Sequence, residues 1–347
     1  MEKINNKQLV EDLLAWYDAN ARILPWREEA TPYRVWVSEI MLQQTRVEAV
    51  KPYFERFIHA LPDISALAHA SEDTLRKLWE GLGYYHRVSN MKKAAIQCME
   101  RFNGQLPSTY DELLSLSGIG AYSAGAIASI AFHQPVPAVD GNVLRVFSRV
   151  WVIEDDILKE STKKKFQKLL MEVIPKERPD AFNQAVMEIG AMVCVPNAAP
   201  KCHICPLAPH CKGYQTGVTH KLPVKAGKKK RTIEKKYIDV VVYEDKILLQ
   251  QREKDGLLAG LYEFNTFDYP QEEELFLSTL DIEKIVPLKD SKHIFTHKEW
   301  HMSGKLVFIR KKIKGNLVSM QDLEEHYAIP SAYKAYKEGL IEWMKHM

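Results

Sequence analysis

The sequence lacks long apolar runs, has few cysteines and carries little net charge. Its 347 residues contain no apolar segment near the roughly 18 residues that a membrane-spanning helix needs. The N-terminal stretch MEKINNKQLVEDLL has neither the apolar centre nor the small-residue cleavage site of a secretory leader. We therefore expect a cytoplasmic protein that does not bind membranes. A net charge of only +3 does not by itself indicate a nucleic-acid-binding protein.

Cysteine occurs only five times in the chain, but four of the five fall within one short stretch. Their spacing is C-x7-C-x2-C-x5-C, and they are Cys194, Cys202, Cys205 and Cys211. A reducing cytoplasm disfavours disulfides, so thiolates this close together indicate a metal centre. Tetrahedral zinc and a 4Fe-4S cluster both use such ligands. The single C-x2-C pair favours the cluster, because zinc sites more often have two, but spacing alone leaves both open.

The character of the sequence changes near residues 221–235. Before them the apolar residues recur at helical intervals, and we predict an all-α domain over residues 1–220. Residues 236–347 contain β-branched and aliphatic runs, which predict a smaller α+β domain. Between the two, Lys221–Lys236 contains eight basic residues and one acidic residue. Such a run is typical of a solvated linker, although it can also lie along a phosphate backbone.

Several elements can be placed in these domains. In the first domain the apolar pattern predicts helices at Lys7–Asn20, Val35–Thr45 and Val143–Val150. Ser71 and Ser161 are predicted to begin two further helices as N-caps. The second domain is predicted to contain strands at Tyr237–Tyr243, Lys246–Arg252 and Leu306–Arg310, and helices at Glu272–Leu280 and Ser331–His346.

Residues Leu116–Gly120, LSGIG, predict a tight glycine turn between two helices, the second of which begins near Tyr122. Glycine lets the backbone approach a phosphate closely, and the free N–H groups at the start of a helix bind anions. A turn of this kind holds a DNA backbone without reading its sequence. An ordinary helical hairpin has the same pattern, so this motif alone does not decide the function.

Two carboxylates stand in contrasting surroundings. Glu39 lies within the apolar stretch VWVSEIML, where burial raises the pKa of a carboxyl and makes it an acid near neutral pH. Asp140 directly precedes a basic helix, where it is either a helix N-cap or a catalytic carboxylate. Cleavage of a glycosidic bond needs such a pair, because one carboxyl protonates the leaving group and the other steadies an oxocarbenium ion.

Together these motifs resemble those of the MutY-type adenine DNA glycosylases, within the helix–hairpin–helix glycosylase superfamily. The similar stretches are LPWR (Leu24–Arg27), VSEIMLQQTRV (Val37–Val47), EGLGYYHR (Glu80–Arg87), SGIGAYSAGAI (Ser117–Ile127), AVDGNVLRV (Ala138–Val146), FNQAVMEIGAMVC (Phe182–Cys194) and GLLAGLYEF (Gly256–Phe264). The resemblance implies an all-α glycosylase domain with an iron–sulfur lobe, followed by an α+β Nudix-like domain that recognises 8-oxoguanine. It also implies a monomeric, nucleoid-associated repair enzyme that removes adenine mispaired with 8-oxoguanine or guanine in double-stranded DNA.

The resemblance implies roles for individual residues. Glu39 would protonate N7 of the flipped adenine and later activate water, Asp140 would stabilise the oxocarbenium ion, and Asn142 would orient Asp140. Adenine leaves poorly unless it is protonated, and it must leave the base stack to be reached. The other implied residues line the adenine pocket (Trp26, Arg27, Gln184, Glu188), contact or enter the duplex (Gln44, Thr45, Leu82, Tyr84) or form the hairpin (Gly118, Gly120).

Tyr122 separates this chain from bifunctional enzymes. Enzymes similar to endonuclease III have a lysine here that forms a Schiff base and cuts the strand, which a phenol cannot do. The resemblance therefore implies a monofunctional glycosylase in which Tyr122 bonds near the catalytic carboxylate. Gln44 is expected on the same helix as Glu39, and the glycines beside Leu82 indicate an exposed loop tip.

The C-terminal domain resembles a Nudix module without a convincing G-x5-E-x7-R-E-x2-E-E motif, so we expect recognition without pyrophosphatase activity. Its Phe295, Thr296 and His297 resemble the Phe-Ser-His element of the family, with threonine in place of serine. Three alternatives remain open: a glycosylase/lyase like endonuclease III, a non-catalytic metal-stapled DNA-binding protein, and a nucleotide-pool pyrophosphatase. Tyr122 and the C-terminal domain oppose a glycosylase/lyase. A Glu39/Asp140 pair opposes a non-catalytic protein, and the missing Nudix motif opposes a pyrophosphatase.

The resemblance also favours one 4Fe-4S cluster on the four cysteines. Seven residues, Val195–Lys201, separate the first two ligands, where the family usually has six. We expect the extra residue to bulge within this loop and leave the ligand set unchanged. The lobe would help to hold a DNA-binding surface, with His203, His210 and Lys212 near phosphates.

Overall fold

A computed structural model describes residues 6–227 and 230–345 of the protein, which form two compact units. The first unit contains residues 6–69 and Asn90–Gly227, and the second contains Ala70–Ser89 and residues 230–345. The second unit therefore includes a helix and a loop that come from the helical part of the chain. The division into residues 1–220, 221–235 and 236–347 stays a prediction. Lys228 and Lys229 of the predicted linker lie outside the described residues.

The chain is helical up to the linker. Its α-helices are α1 Asn6–Asn20, α2 Pro25–Glu28, α3 Pro32–Leu42, α4 Val47–Ala60, α5 Ile64–His69, α6 Glu72–Leu78, α7 His86–Arg101, α8 Tyr110–Leu114, α9 Ala121–Phe132, α10 Gly141–Trp151, α11 Glu160–Met171, α12 Pro179–Met192 and α13 Lys212–Gln215. Short 3-10 helices lie at Cys202–Ile204, Ala208–His210 and Thr219–Lys221. None of the helices in the described ranges has both the length and the apolar character that a membrane crossing needs.

Helix α3 is shorter than predicted at its C-terminal end. It ends at Leu42, and Gln44 takes a left-handed backbone conformation with φ of +59°. Gln44 and Thr45 therefore do not continue the helix that carries Glu39, and that prediction is wrong. The left-handed residue turns the chain, so α4 starts in a new direction at Val47.

The two predicted serine caps have different outcomes. Ser71 caps α6, because its side chain accepts a hydrogen bond from the Thr74 main-chain nitrogen at 3.0 Å. Ser161 does not cap α11, which begins one residue earlier, at Glu160, after an N-cap at Lys159. The acidic Glu160 in the first turn favours this earlier start, since it complements the positive end of the helix.

One core of the first unit lies between α1, α10, α12 and the cysteine-containing loop. Phe147 of α10 and Phe182 of α12 are almost wholly buried there, as is Leu9 of α1. Full burial of such a side chain stabilises a fold by about 1.5–3 kcal/mol. Cys194 and Cys211 belong to the same core, so the loop with the four cysteines packs directly on α10 and α12.

The second unit is built on a seven-stranded sheet. The strands are β1 Thr232–Tyr243, β2 Lys246–Gln251, β3 Tyr262–Glu263, β4 Asn265–Phe267, β5 Ile282–Ile294, β6 Lys298–Ile309 and β7 Asn316–Ser319. Their order is β3-β2-β1-β6-β5, with β4 paired to β1 and β7 paired to β2. Only the β1–β6 pair is parallel in this sheet. The helices are α14 Pro270–Ser278, α15 Met320–Glu325 and α16 Lys334–Met344, and a 3-10 helix lies at Ser331–Tyr333.

Both faces of the central strands are covered. Val240 and Val242 of β1 belong to the core that includes Tyr336 and Leu340 of α16. Val241 points to the opposite face, in a smaller core with side chains of α14. A strand buried on both faces needs no alternation of apolar and polar residues, which is why β1 reads as an apolar run. The predicted strands at β1, β2 and β6 are confirmed; the predicted end of the last helix, at His346, lies outside the described residues.

Candidate active site

Glu39 lies in the second half of α3 and is only 4% exposed. The hydroxyl of Tyr122, in the first turn of α9, donates a hydrogen bond of 2.6 Å to Oε2 of Glu39. Tyr122 therefore bonds to a buried carboxyl, as predicted, and the catalytic role of that carboxyl stays a prediction. A phenol bonded to one carboxyl oxygen leaves the other, Oε1, to carry a proton.

The glycine turn before α9 sets the position of Tyr122. Gly118 has φ of +74°, and a Cβ atom there would lie 2.6 Å from Cβ of Asn90, so no larger residue fits. Gly120 is the N-cap of α9 and begins the helix without a side chain. Gln97 secures the same turn by accepting a hydrogen bond of 2.8 Å from the main-chain nitrogen of Ser117. The predicted helical hairpin at Gly118 and Gly120 is thus present.

The surroundings of Glu39 shift its acidity. Burial disfavours the charged form and raises the pKa of Glu39 to about 7. The hydrogen bond from Tyr122 opposes this rise, the negative charge of Asp140 adds to it, and Arg27 opposes it again. Glu39 therefore exists as a mixture of acid and carboxylate near neutral pH, as the apolar sequence around it predicts.

Asp140 is the N-cap of α10 and lies near enough to Glu39 for its charge to raise the pKa of that carboxyl. Its Oδ1 accepts a hydrogen bond of 2.7 Å from the Val143 main-chain nitrogen, and its Oδ2 accepts one of 2.6 Å from Nδ2 of Asn142. Burial raises the pKa of Asp140, and the hydrogen bonds from Val143 and Asn142 oppose that rise. The positive end of α10 also favours a negative charge at this place. Asn142 orients Asp140, as predicted.

Arg145, one turn further along α10, connects Asn142 with the cysteine-containing loop. Its Nη2 donates to Oδ1 of Asn142 at 2.8 Å and to the main-chain oxygen of Gly190 at 2.7 Å. Its Nε donates to the main-chain oxygen of Cys194 at 2.8 Å. A Cβ atom at Gly190 would lie 2.6 Å from Cβ of Asn142, so the close approach of α12 requires glycine. Asn142 is therefore fixed from two sides.

A cavity of about 340 Å³ opens beside Glu39. The four predicted pocket residues all line it: Trp26, Arg27, Gln184 and Glu188. The structure thus brings together side chains from α2, α3 and α12, which are far apart in the sequence. The size is within the range of small-molecule sites, which are mostly apolar with a few well-placed polar groups.

Glu188 is the most buried charge in the cavity wall, with its side chain 1% exposed. Arg22 donates to both of its carboxylate oxygens, at 2.7 and 3.2 Å, and Arg27 lies 2.9 Å away. Two cations around one carboxylate keep these charges in fixed positions. Arg22 is a pocket residue that the sequence did not reveal, because its partner lies 166 positions away.

The four cysteines line a second, smaller cavity of about 20 Å³ in the first unit. Nη1 of Arg149 lies 3.1 Å from Sγ of Cys194, which is a suitable contact for a thiolate. Within the described ranges, no three histidine, cysteine or acidic side chains are arranged like the ligands of one metal ion. A single zinc ion would draw its ligands to one point, whereas each thiolate of a 4Fe-4S cluster binds a separate iron.

His210 does not fit its predicted place near a phosphate. Its Nε2 lies 2.7 Å from the Asp12 carboxylate, and its side chain is 12% exposed. The ring therefore connects the cysteine-containing loop to α1. Cys98, the one cysteine outside this loop, is wholly buried in α7.

In the second unit, Gly81–Tyr85 form a loop between α6 and α7, which we call the wedge loop. Leu82 is only 7% exposed, so the prediction of an exposed tip is wrong, whereas Tyr84 is 39% exposed. The cause is Arg87, whose Nη2 donates to the main-chain oxygens of Leu82 at 3.2 Å and Gly83 at 2.9 Å. These bonds draw the loop inward. Burial lowers the pKa of Arg87 to about 10.

The residues Phe295, Thr296 and His297 form the turn between β5 and β6, which we call the recognition loop. The hydroxyls of Thr296 and Tyr84 lie 3.0 Å apart, so this loop contacts the wedge loop within the same unit. The ring of Phe295 packs against Trp300 with centroids 4.9 Å apart. The structure therefore brings two of the predicted DNA-contacting segments together.

Two family matches cover most of the described chain. Residues 37–176 match the HhH-GPD superfamily of base excision DNA repair proteins, and residues 238–338 match the NUDIX domain. An adenine DNA glycosylase of Buchnera aphidicola subsp. Baizongia pistaciae is 35% identical over 305 residues, which are 87% of this chain and 86% of that protein. This chain belongs to the adenine DNA glycosylases. An adenine DNA glycosylase of Schizosaccharomyces pombe is 34% identical over 322 residues, covering 76% of this chain and 70% of that protein.

The solved structures agree on the fold of this adenine DNA glycosylase. A thermostable thymine-DNA glycosylase superposes with a TM-score of 0.56 and 24% identity, covering 62% of this chain and 100% of that one. The expected fold is confirmed: a helical glycosylase domain of the helix–hairpin–helix type, followed by a sheet-containing Nudix-like domain. The expected activity class, a glycosylase of base excision repair, is also confirmed.

Proposed function

We propose that this adenine DNA glycosylase releases adenine mispaired with 8-oxoguanine or guanine in double-stranded DNA, without cutting the strand. One observation carries the proposal. A buried carboxyl whose pKa is about 7, Glu39, lines a cavity of about 340 Å³, and a hydrogen-bonded carboxylate, Asp140, influences its charge. These two groups are the acid and the charge stabiliser that cleavage of an N-glycosidic bond needs.

Glu39 acts first as the acid. The adenine must turn out of the duplex to enter the cavity, because its N7 and glycosidic bond are not accessible in the stack. The protonated carboxyl of Glu39 then donates its proton to N7, which makes adenine a better leaving group. Tyr122 holds Oε2 of Glu39 in place, so the proton leaves from Oε1. The resulting carboxylate can accept a proton from the attacking water.

Asp140 acts on the sugar. As the C1′–N9 bond breaks, positive charge develops on the deoxyribose ring, and a fixed carboxylate stabilises it electrostatically. The hydrogen bonds from Asn142 and Val143 hold the carboxylate in one orientation and favour its charged form. Because Tyr122 stands after the hairpin, no lysine amine is available there to form a Schiff base with C1′. The released product is therefore an intact strand with an abasic site.

The second unit would recognise the base that is paired with adenine. The wedge loop offers the half-exposed ring of Tyr84, which suits insertion into a base stack, whereas Leu82 is buried in this structure. The recognition loop offers the Thr296 hydroxyl, which can donate to or accept from the 8-oxo edge of the partner base. The full Nudix motif of carboxylates is missing, so this unit would bind a base without hydrolysing a pyrophosphate. We expect the enzyme to act as a monomer in the cytoplasm, on the nucleoid.

Single-turnover base release tests this function. Duplexes with adenine opposite 8-oxoguanine, guanine or thymine should release adenine from the first two and not measurably from the third. Strand breaks should appear only after alkali treatment, because the abasic product is not cut by the enzyme. Breaks without alkali would support the glycosylase/lyase alternative. No adenine release from any duplex would support a non-catalytic DNA-binding protein.

The cofactor is a further part of the proposal. We infer that Cys194, Cys202, Cys205 and Cys211 hold one 4Fe-4S cluster, supported by the cavity that all four line and by their spacing with a single C-x2-C pair. When bound, the cluster would supply four covalent cross-links within the loop. The loop supports the site through the main-chain oxygen of Cys194, which accepts from Arg145.

Exchange of Cys202 for serine tests the cluster. Cys202 is only partly buried, whereas Cys194 and Cys211 are buried. A serine at position 202 should therefore disturb the packing little. We expect the purified wild-type protein to be brown with about four irons per chain, and Cys202→Ser to lose most of the iron and the broad visible absorption. Cys98→Ala is the control, since Cys98 lies outside this loop and should leave the iron content unchanged. Wild-type protein with one zinc and no iron would overturn the assignment.

A further inference from the structure

Lys77, near the end of α6, holds the second half of α15 and the segment that follows it. Its Nζ donates to the main-chain oxygens of Leu323 and Tyr327, each at 3.3 Å. The same Nζ lies 2.7 Å from the Glu80 carboxylate, and both side chains are about one-fifth exposed. A partly buried ammonium with three oxygen partners has a fixed position.

Glu80 makes the second half of this attachment. Its Oε1 accepts a hydrogen bond of 3.0 Å from the main-chain nitrogen of Ile329, and Nζ of Lys337 lies 3.8 Å away. Ile329 is 4% exposed and belongs to the main core of the second unit, with Tyr333 and Tyr336. Glu80 is therefore connected directly to a rigid part of the unit. We call Lys77 and Glu80 the anchor pair.

The wedge loop begins at the residue after Glu80. It is therefore fixed at its start by the anchor pair and near its end by the contact between Tyr84 and Thr296. Between these points Gly81 and Gly83 have φ of +99° and +71°, which lets the chain turn sharply. Arg87 holds the middle of the loop through the main-chain oxygens of Leu82 and Gly83. The anchor pair and the contact at Thr296 connect the two ends of the loop to other parts of the second unit, and so help to decide where Tyr84 lies.

We propose that Lys77 and Glu80 are positioning residues that hold the wedge loop against the recognition loop, and thereby make insertion of the wedge depend on the base opposite adenine. This inference rests on the proposed function. Neither residue needs to touch DNA bases, because both act through the position of Leu82 and Tyr84. An 8-oxoguanine bound at Thr296 would hold a correctly placed Tyr84 in the duplex, while guanine would hold it less well.

Loss of the anchor pair should then affect one substrate more than the other. With the start of the wedge loop no longer anchored to the core, binding of 8-oxoguanine at the recognition loop would fix Tyr84 less firmly. Adenine release opposite 8-oxoguanine should slow, while release opposite guanine, which gains little from this coupling, should change little. A residue needed only for stability would instead slow both reactions equally.

Lys77→Met tests the inference, since it keeps the aliphatic stem and removes the three polar contacts. We expect the ratio of single-turnover release rates, 8-oxoguanine over guanine, to fall about tenfold, with the rate opposite guanine within about twofold of wild type. The matched control is Lys312→Met, which removes an exposed positive charge from the same unit and should keep the ratio. Insertion of the wedge can also be followed directly with 2-aminopurine placed beside the mispair, because its fluorescence rises when it is unstacked. This rise should be smaller with Lys77→Met than with the wild-type protein.

Glu80→Gln provides the second variant, with a carboxamide of the same size. If the pair acts as a unit, the ratio for the double variant should fall no further than for Lys77→Met alone. An unchanged ratio in Lys77→Met, or equal slowing on both substrates with a lowered melting temperature, would overturn the inference. If wild-type protein releases no adenine from either duplex, the proposed function itself fails, which is a different result.

Discussion

Exchange of Glu39 for glutamine is expected to slow adenine release by about a thousandfold or more, which is in the range of general acid catalysis. The amide has nearly the same shape and can still accept the hydrogen bond from Tyr122. It cannot transfer a proton to N7, so adenine would have to leave as a poor leaving group. Binding to the mispaired duplex should persist, because the contacts of the pocket and the wedge loop are unchanged.

Single-turnover release and equilibrium binding should be measured together for Glu39→Gln. Glu48→Gln is a suitable control, because Glu48 is an exposed carboxylate on the neighbouring helix α4, with its side chain 75% exposed. It should release adenine at the wild-type rate. Release by Glu39→Gln at the wild-type rate would show that another group supplies the proton.

The pH dependence of the reaction provides an independent check of Glu39. Its pKa of about 7 means that the acid form predominates below this pH and is lost above it. The release rate should therefore fall at higher pH, approaching about tenfold for each pH unit. Glu39→Gln should not show this fall, since its amide does not titrate. A wild-type rate that stays constant between about pH 6 and pH 9 would contradict the assignment.

The surroundings of Glu39 and Asp140 could be predicted from the sequence because local features decide them. The apolar residues around Glu39 share its helix, so the burial that raises its pKa is visible in the stretch VWVSEIML. Asp140 precedes a strongly periodic helix, which places it at the N-cap and beside Asn142. The glycine turn likewise fixes Tyr122 within a few residues. Such short-range relations need no knowledge of the tertiary structure.

Other parts of the site depend on partners that are distant in the sequence. Arg22 joins the pocket only because Glu188 lies beside it, and Arg87 draws Leu82 inward through main-chain oxygens that no sequence pattern reveals. The strand β5 was not predicted, because its apolar residues are interrupted by charges and its long pairing is with β6. The inclusion of Ala70–Ser89 in the second unit also has no local signal.

The catalytic role of Asp140 can be separated from its structural role by exchange for asparagine. Asparagine caps helices about as well as aspartate, so α10 should keep its start. The amide oxygen can still accept from the Val143 nitrogen, whereas the amide nitrogen cannot accept from Nδ2 of Asn142, so that hydrogen bond is lost together with the negative charge. We expect adenine release to slow by about a hundredfold to a thousandfold, because the developing charge on the sugar loses its electrostatic partner.

Thermal unfolding and the pH profile should be measured with the release rate of Asp140→Asn. An unchanged melting temperature with slow release would show that the charge acts in the reaction and not in the fold. The fall in rate at high pH should remain in this variant, because it belongs to Glu39, but it should begin at a lower pH, because the negative charge of Asp140 no longer raises the pKa of Glu39. In the wild-type protein burial raises the pKa of Asp140, so the release rate should fall at low pH as this carboxyl is protonated. That fall should disappear in Asp140→Asn, because the carboxyl is absent. Slow release accompanied by a large loss of stability would instead identify Asp140 as a helix cap alone.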